Sequence, residues 1–177
     1  MNRLLLLFAL ICPTAALAAV VPMPRETLAI NADAIVIGTI HDATAEPTGR
    51  GGPSVITHHD VYVERVLVGS VEVGDLIDVR TAGGPITING RAMVEAIPDA
   101  PVLVEGDHVL LFLYHLDDPR DLHLTRAEQQ DLPDSWSILG WGQGLLHLDD
   151  LTHQITETDE PLAVAIPSIQ SLTLREE

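Results

Sequence analysis

The chain has 177 residues and is strongly acidic, with 26 aspartate and glutamate residues against nine basic residues and a net charge of −17 at pH 7. All nine basic residues are arginine. Such a chain repels nucleic acid and anionic lipid headgroups, so the composition excludes both as expected partners. The acidic residues are spread along the sequence, which is typical of a solvated surface.

The N-terminus has the pattern of a secretory signal peptide over residues 1–18. Arg3 supplies a positive charge, Leu4 to Ile11 form a short apolar run, and Ala16-Leu17-Ala18 has the small residues that a signal peptidase requires. The run is too short for a membrane span and is interrupted by Pro13. We therefore expect an exported protein, periplasmic or extracellular, without a membrane span.

The only cysteine, Cys12, lies within this predicted signal. Lipoprotein processing at Cys12 is the alternative, but the bulky Ile11 before it fits that processing poorly. Cleavage after Ala18 leaves residues 19–177 as a single domain without disulfides. Such a domain has to be held together by its hydrophobic core.

The stretch from Val61 to Gly84 predicts two neighbouring strands, because it contains two β-branched runs separated by a glycine-containing turn. Ala34 to Ile40 is apolar on both faces, so it predicts a central strand, and Gly38 within it indicates a bulge or bend. Asn89-Gly90 between two short apolar runs predicts a type I′ hairpin. Other predicted strands are Val55 to Val68, Leu76 to Thr81, His108 to His115, Leu122 to Thr125 and Leu145 to Leu148.

Strands therefore dominate, and helices are few. Glu26 to Asn31 predicts one short helix, Thr44 to Pro53 a loop, and Arg126 to Pro133 a polar connection with at most a helical turn. The tail, about 161–177, is expected to be less regular because Pro167 interrupts its helical pattern. The fold class predicted is all-β: a small OB-like antiparallel barrel, closed or partly open, with one or two short helices.

Landmarks spread over nearly the whole mature chain also support a resemblance. They are Ala32-Asp33 before a strand ending in Gly38-Thr39-Ile40, Thr57, Val63 to Gly69, Gly83-Gly84, Pro101 followed by Gly106-Asp107 and Val109 to Leu113, and Gln143-Gly144. The chain resembles a group of uncharacterised secreted bacterial proteins, which often carry lysine where this chain has Val68. More distantly, it is similar to the OB-type barrel of netrin-like modules and tissue inhibitors of metalloproteinases. The inhibitors reach the protease metal through an N-terminal cysteine, and the predicted mature chain has none.

Eight histidines make a divalent-metal site the first chemical hypothesis. His58 and His59 are adjacent, so their side chains should point to opposite faces of a strand. His115 and His123 flank an acidic turn, and with Asp121 they are the preferred ligand set. His147, Asp149, Asp150 and His153 form a further set. None of these sets has a diagnostic spacing, so surface histidines without metal are the alternative, and no cofactor is expected.

Trp136, Trp141 and Gln143 mark a glycine-rich segment that could form a ligand face. The alternative is that a tryptophan here closes one end of the barrel, as large core residues are scarce. No nucleophile elbow or comparable catalytic frame occurs among the serines. We therefore expect a non-enzymatic binding module for an unidentified extracytoplasmic protein. The alternatives are an inhibitor or accessory factor of an exported peptidase and a metal-binding periplasmic protein.

Overall fold

A computed structural model describes residues 22–48, 55–116, 135–149, 152 and 154–173. Ten strands and two helices occur within these ranges. The helices are α1 (Arg25–Asn31) and α2 (Leu162–Thr173). The strands are β1 (Ala34–Pro47), β2 (Val55–Val68), β3 (Leu76–Ala82), β4 (Gly84–Ile88), β5 (Arg91–Glu95), β6 (His108–His115), β7 (Ser135–Ile138), β8 (Leu145–Asp149), β9 (Gln154–Ile155) and β10 (Glu160–Pro161).

Five strands close into a barrel in the order β1, β2, β3, β7 and β6, with β6 pairing back to β1. Four of the pairings are antiparallel, whereas β3 and β7 run parallel. This confirms the small all-β barrel predicted from the sequence and shows that it is closed. The sheet continues beyond β6 through β8, β9 and β10, while β4 and β5 form a separate hairpin.

The two most apolar strands, β1 and β6, are buried on both faces. Val36 and Leu111 point into the barrel interior, whereas Ile35 and Phe112 face a second core beneath α1 and α2. Each side chain of this kind that is fully buried contributes about 1.5–3 kcal/mol to stability. The double burial explains why neither strand alternates between apolar and polar residues.

Two predictions about individual segments were wrong. Thr44 to Pro47 continue β1 instead of starting a loop, because β2 is equally long and pairs with β1 as far as Pro47 and Val55. The tail forms a regular helix, α2, in spite of Pro167. Its buried residues Ala165, Ile166 and Ile169 pack into the second core, which stabilises the helix beyond its intrinsic propensity. The predicted strand Leu122 to Thr125 and the connection Arg126 to Pro133 lie outside the described residues.

Candidate functional site

The preferred metal ligands are represented in the described residues only by His115, since Asp121 and His123 lie outside them. The His115 backbone N–H donates to Asp33 Oδ2 at 3.0 Å. Its imidazole meets Trp136 edge-on, with ring centroids 4.8 Å apart. Within residues 22–48, 55–116, 135–149, 152 and 154–173, no group of three or more His, Cys, Asp or Glu residues is placed to hold a metal ion. The metal hypothesis therefore stays a prediction.

The second histidine set is only partly described, since Asp150 and His153 lie outside the described residues. His147 Nδ1 lies 3.8 Å from Asp107 Oδ2, a residue that the sequence did not associate with it. Asp149 Oδ1 accepts a hydrogen bond from the Thr152 backbone N–H at 2.8 Å, as in an ordinary turn. The Asp149 carboxylate therefore has a structural role in this turn.

The structure separates the two tryptophans. Trp136, on β7, points into the barrel with only 8% of its surface exposed and belongs to the interior core, so it does not contribute to an exposed ligand face. Trp141 is 55% exposed and has a left-handed backbone with φ of 55°. Gln143 accepts a hydrogen bond from the Met23 backbone N–H through Oε1 and so fastens the segment before α1.

Trp141 lies in a tight turn that is joined to β6 by backbone hydrogen bonds at both ends. The Leu139 N–H donates to the Phe112 carbonyl at 2.9 Å, and the Phe112 N–H donates to the Gly144 carbonyl at 2.8 Å. A Cβ atom at Gly144 would lie 2.7 Å from the Leu139 carbonyl oxygen, so this position requires glycine. The turn therefore holds the Trp141 backbone at a fixed place on the barrel.

A polar cluster that sequence reasoning missed joins β2, β3 and β7 on the outer face of the barrel. The Asp78 carboxylate lies 3.0 Å from His58 Nδ1 and accepts hydrogen bonds from Arg80 Nε and Ser135 Oγ, each at 2.9 Å. Burial alone would raise the pKa of the Asp78 carboxyl, but these three donors outweigh it and hold the pKa below its usual value of 3.8.

This cluster contains serine, histidine and aspartate, but it is not arranged for nucleophilic catalysis. Ser135 Oγ donates to the carboxylate, whereas a catalytic serine must donate to the imidazole that removes its proton. Asp78 instead serves as a shared acceptor that ties three strands together. The alternation of β3 places Asp78 and Arg80 outward, but only the pairing with β2 and β7 shows that His58 and Ser135 meet them.

His59 lies on the opposite face from His58, as predicted, and is buried inside the barrel. Its Nε2 lies 2.9 Å from Thr81 Oγ1, whereas its Nδ1 is buried with no hydrogen-bond partner among the described residues. Burial lowers the pKa of His59 to about 4; the nearby Asp78 charge opposes this shift and His58 adds to it. The imidazole is therefore neutral at pH 7.

An apolar groove of about 780 Å³ opens between the end of β1 and the β4–β5 hairpin. This volume is in the range of ligand-binding clefts, about 300–1,000 Å³. None of the nine described residues that line it is charged. We call this feature the hairpin groove; its lining is Ala45, Pro47, Pro85, Ile86, Thr87, Asn89, Ala92, Met93 and Val94.

Comparisons of the chain with protein-family models, curated proteins and solved structures found no match. The resemblance to secreted bacterial proteins and to netrin-like modules therefore stays a prediction. Neither of the helices in the described part of the chain is long and apolar enough to cross a membrane.

Proposed function

We propose that this protein is an exported, non-enzymatic binding module that holds an extended, apolar segment of a partner protein in the hairpin groove. The observation that carries the proposal is an uncharged groove on a chain with a net charge of −17. Met93 and Val94 on one wall are both exposed. Exposed apolar side chains that line one concave surface favour a site for apolar groups of a partner.

The backbone around the groove favours a polypeptide over a compact small molecule. From His41 to Pro47, the edge of β1 opposite β2 has no strand partner among the described residues, because pairing with β6 stops at Thr39. Within the same ranges β5 pairs only with β4. Open edges of this kind offer backbone donors and acceptors to an added strand, while alternate side chains of that strand enter pockets.

Export is supported by the signal-peptide pattern of residues 1–18, which lie outside the described residues. A binding role instead of catalysis is supported by the polar clusters. Asp78 is occupied by its three donors, and His59 is enclosed in the barrel. Neither cluster presents a nucleophile to solvent.

A peptide library displayed on phage and selected against the purified protein tests the proposal. We expect selected peptides with apolar residues at alternating positions. Their affinity should fall at least about tenfold in a double variant with Met93→Asp and Val94→Asp, because a carboxylate buried in an apolar groove loses its hydration. The matched control is Val164→Asp, since Val164 is an exposed valine on α2, away from the groove. Its affinity should be unchanged.

Amide hydrogen exchange locates the bound peptide. Strand addition should slow exchange of backbone amides within 41–47 or 91–95, because these N–H groups become hydrogen-bonded. Selection without alternating apolar residues, or slowed exchange confined to other surfaces, would contradict the proposal.

A further inference from the structure

A second surface, distinct from the hairpin groove, lies on the outer face of β2 and β3. Tyr62 and Leu76 are directly opposite each other in the β2–β3 pairing and are 46% and 56% exposed. Val73, in the turn that joins the two strands, is 66% exposed. These three side chains, which we call the tyrosine patch, are apolar groups exposed together at one end of the sheet.

Carboxylates surround the tyrosine patch. Val61 and Val63 are fully buried, so the alternation of β2 places Asp60, Tyr62 and Glu64 together on the outer face. The turn beside Val73 contributes two further exposed acidic residues. Of the nearby arginines, Arg80 is paired with Asp78, so the exposed Arg65 is left to offset part of this charge. The acidic residues around the patch are Asp60, Glu64, Glu72 and Asp75.

Glu64 is held in position before any partner arrives. Its Oε1 accepts a hydrogen bond from Thr39 Oγ1 at 2.6 Å, and its Oε2 lies 3.2 Å from His108 Nε2. The Glu64 side chain nevertheless remains 40% exposed. A carboxylate that is fixed but still open to solvent can accept a cation without losing further conformational freedom.

The negative charge of the surface determines which class of partner can bind there. A second copy of this chain would bring carboxylates against carboxylates, and nucleic acid or anionic lipid would be repelled. A lysine or arginine side chain suits both the apolar and the acidic groups of this surface. Its alkyl stem covers apolar surface while its charged head reaches an acidic group. Its head can also lie over the ring of an exposed tyrosine.

We propose that the tyrosine patch binds a cationic polypeptide segment. The stems of its lysine or arginine residues pack on Tyr62 and Leu76, and their heads meet Asp60 and Glu64. This surface is independent of the hairpin groove: Ala45 of the groove lies opposite the buried Thr57, on the inner side of the β1–β2 sheet. Either proposal can fail without the other.

The test measures fluorescence anisotropy of a labelled peptide of alternating lysine and serine, which lacks the alternating apolar residues expected of a groove ligand, titrated with the purified protein at low and high salt. An otherwise identical peptide of glutamate and serine is the charge control. We expect the cationic peptide alone to bind, with weaker affinity at high salt. Tyr62→Ser and Asp60→Asn should each raise Kd about two- to fivefold, as expected for exposed cation–π and ion-pair contacts.

Two control variants make equivalent changes at exposed sites elsewhere. Val164→Ser on α2 removes an exposed apolar side chain, and Glu26→Gln on α1 removes one negative charge. Both should bind the peptide as the unaltered protein does. The proposal is overturned if the cationic peptide does not bind, if the anionic peptide binds equally well, or if the control variants lose as much affinity as Tyr62→Ser and Asp60→Asn.

Discussion

Inside the barrel, His59 on β2 and Thr81 on β3 face each other with 2.9 Å between Nε2 and Oγ1. This polar pair lies beside a barrel core that is built mainly from valine, leucine and isoleucine. Because Nδ1 of His59 is buried without a hydrogen-bond partner among the described residues, a proton there would place a charge in the core that no hydrogen bond at Nδ1 stabilises.

The neutral state of His59 should make the fold sensitive to acid. The pKa of His59 is lowered to about 4 in the folded protein from 6.5, so the unfolded chain binds a proton more readily. The contribution of His59 is therefore fully present above pH 6.5 and is lost as the pH falls towards 4, where the loss reaches about 3 kcal/mol. Urea unfolding at a series of pH values measures it.

The matched variant for this prediction is His59→Gln, which keeps a polar group near Thr81 but does not titrate. Its free energy of unfolding should change less between pH 7 and pH 4 than that of the unaltered protein. An equal change in both proteins would mean that His59 does not cause the acid sensitivity.

Replacing Gly38 with alanine should destabilise the barrel. A Cβ atom at Gly38 would lie 2.4 Å from the Tyr62 carbonyl oxygen, so β1 and β2 would have to move apart. We expect a loss of about 1–3 kcal/mol in the free energy of unfolding, the usual cost of overpacking. Thermal and urea unfolding measure the loss.

Gly90→Ala is the comparison for this substitution. Gly90 has φ of 76° but no atom within 4 Å of its Cβ position, so alanine there adds backbone strain without a clash. We expect Gly38→Ala to be the more destabilising of the two. The reverse order would show that the close approach at Gly38 relaxes at little cost.

The register of β2 predicts opposite outcomes for neighbouring residues. Val63 is fully buried in the barrel, so Val63→Asp should leave the domain unfolded in circular dichroism spectra. Glu64 faces outward, and Glu64→Asp keeps its charge, so we expect a change within about 1 kcal/mol. A folded Val63→Asp protein would be incompatible with this register.

Local sequence patterns were sufficient to predict many of the strands and turns of the barrel. The register shift between Ile37 and Gly38 agrees with the bulge or bend predicted at Gly38. Asn89 and Gly90 both have positive φ and join β4 to β5, as the hairpin prediction required. Patterns of this kind are informative because backbone conformation and strand alternation depend on residues close in the sequence.

Long-range pairing was not predictable in the same way. Strand β7 has only four residues, Ser-Trp-Ser-Ile, and its parallel pairing with β3 joins positions 57 residues apart, as Asp78 and Ser135 show. Neither end of this pairing carries a local signal. The Asp78 cluster was missed for the same reason, because its donors come from three strands that only the closed barrel brings together.

The same limit applies to the hairpin groove and the tyrosine patch. Ala45 and Met93 line one groove only because the β4–β5 hairpin folds beside the end of β1. Tyr62 and Leu76 form a pair only through the β2–β3 register. A sequence pattern predicts which face of a strand is polar, but it does not predict which strands share that face.

Trp141 should lower the stability of the protein. Its left-handed backbone is unfavourable for a bulky residue, and the neighbouring Gly140 and Gly142 also have positive φ. Asparagine tolerates this conformation far better, so Trp141→Asn should raise the free energy of unfolding by up to about 1 kcal/mol. By contrast, Trp136→Asn should lower it by about 3 kcal/mol or more, since Trp136 fills the barrel core.

Tryptophan fluorescence and urea unfolding of the two variants check this prediction. The protein that retains only Trp136 should emit at shorter wavelength and resist acrylamide quenching, because its indole is buried. If Trp141→Asn instead destabilised the fold by more than 1 kcal/mol, the indole would contribute packing that outweighs its backbone strain. A gain in stability would mean that an exposed tryptophan is held in a fixed turn at a cost in stability, which favours a role for its indole in contacting a ligand.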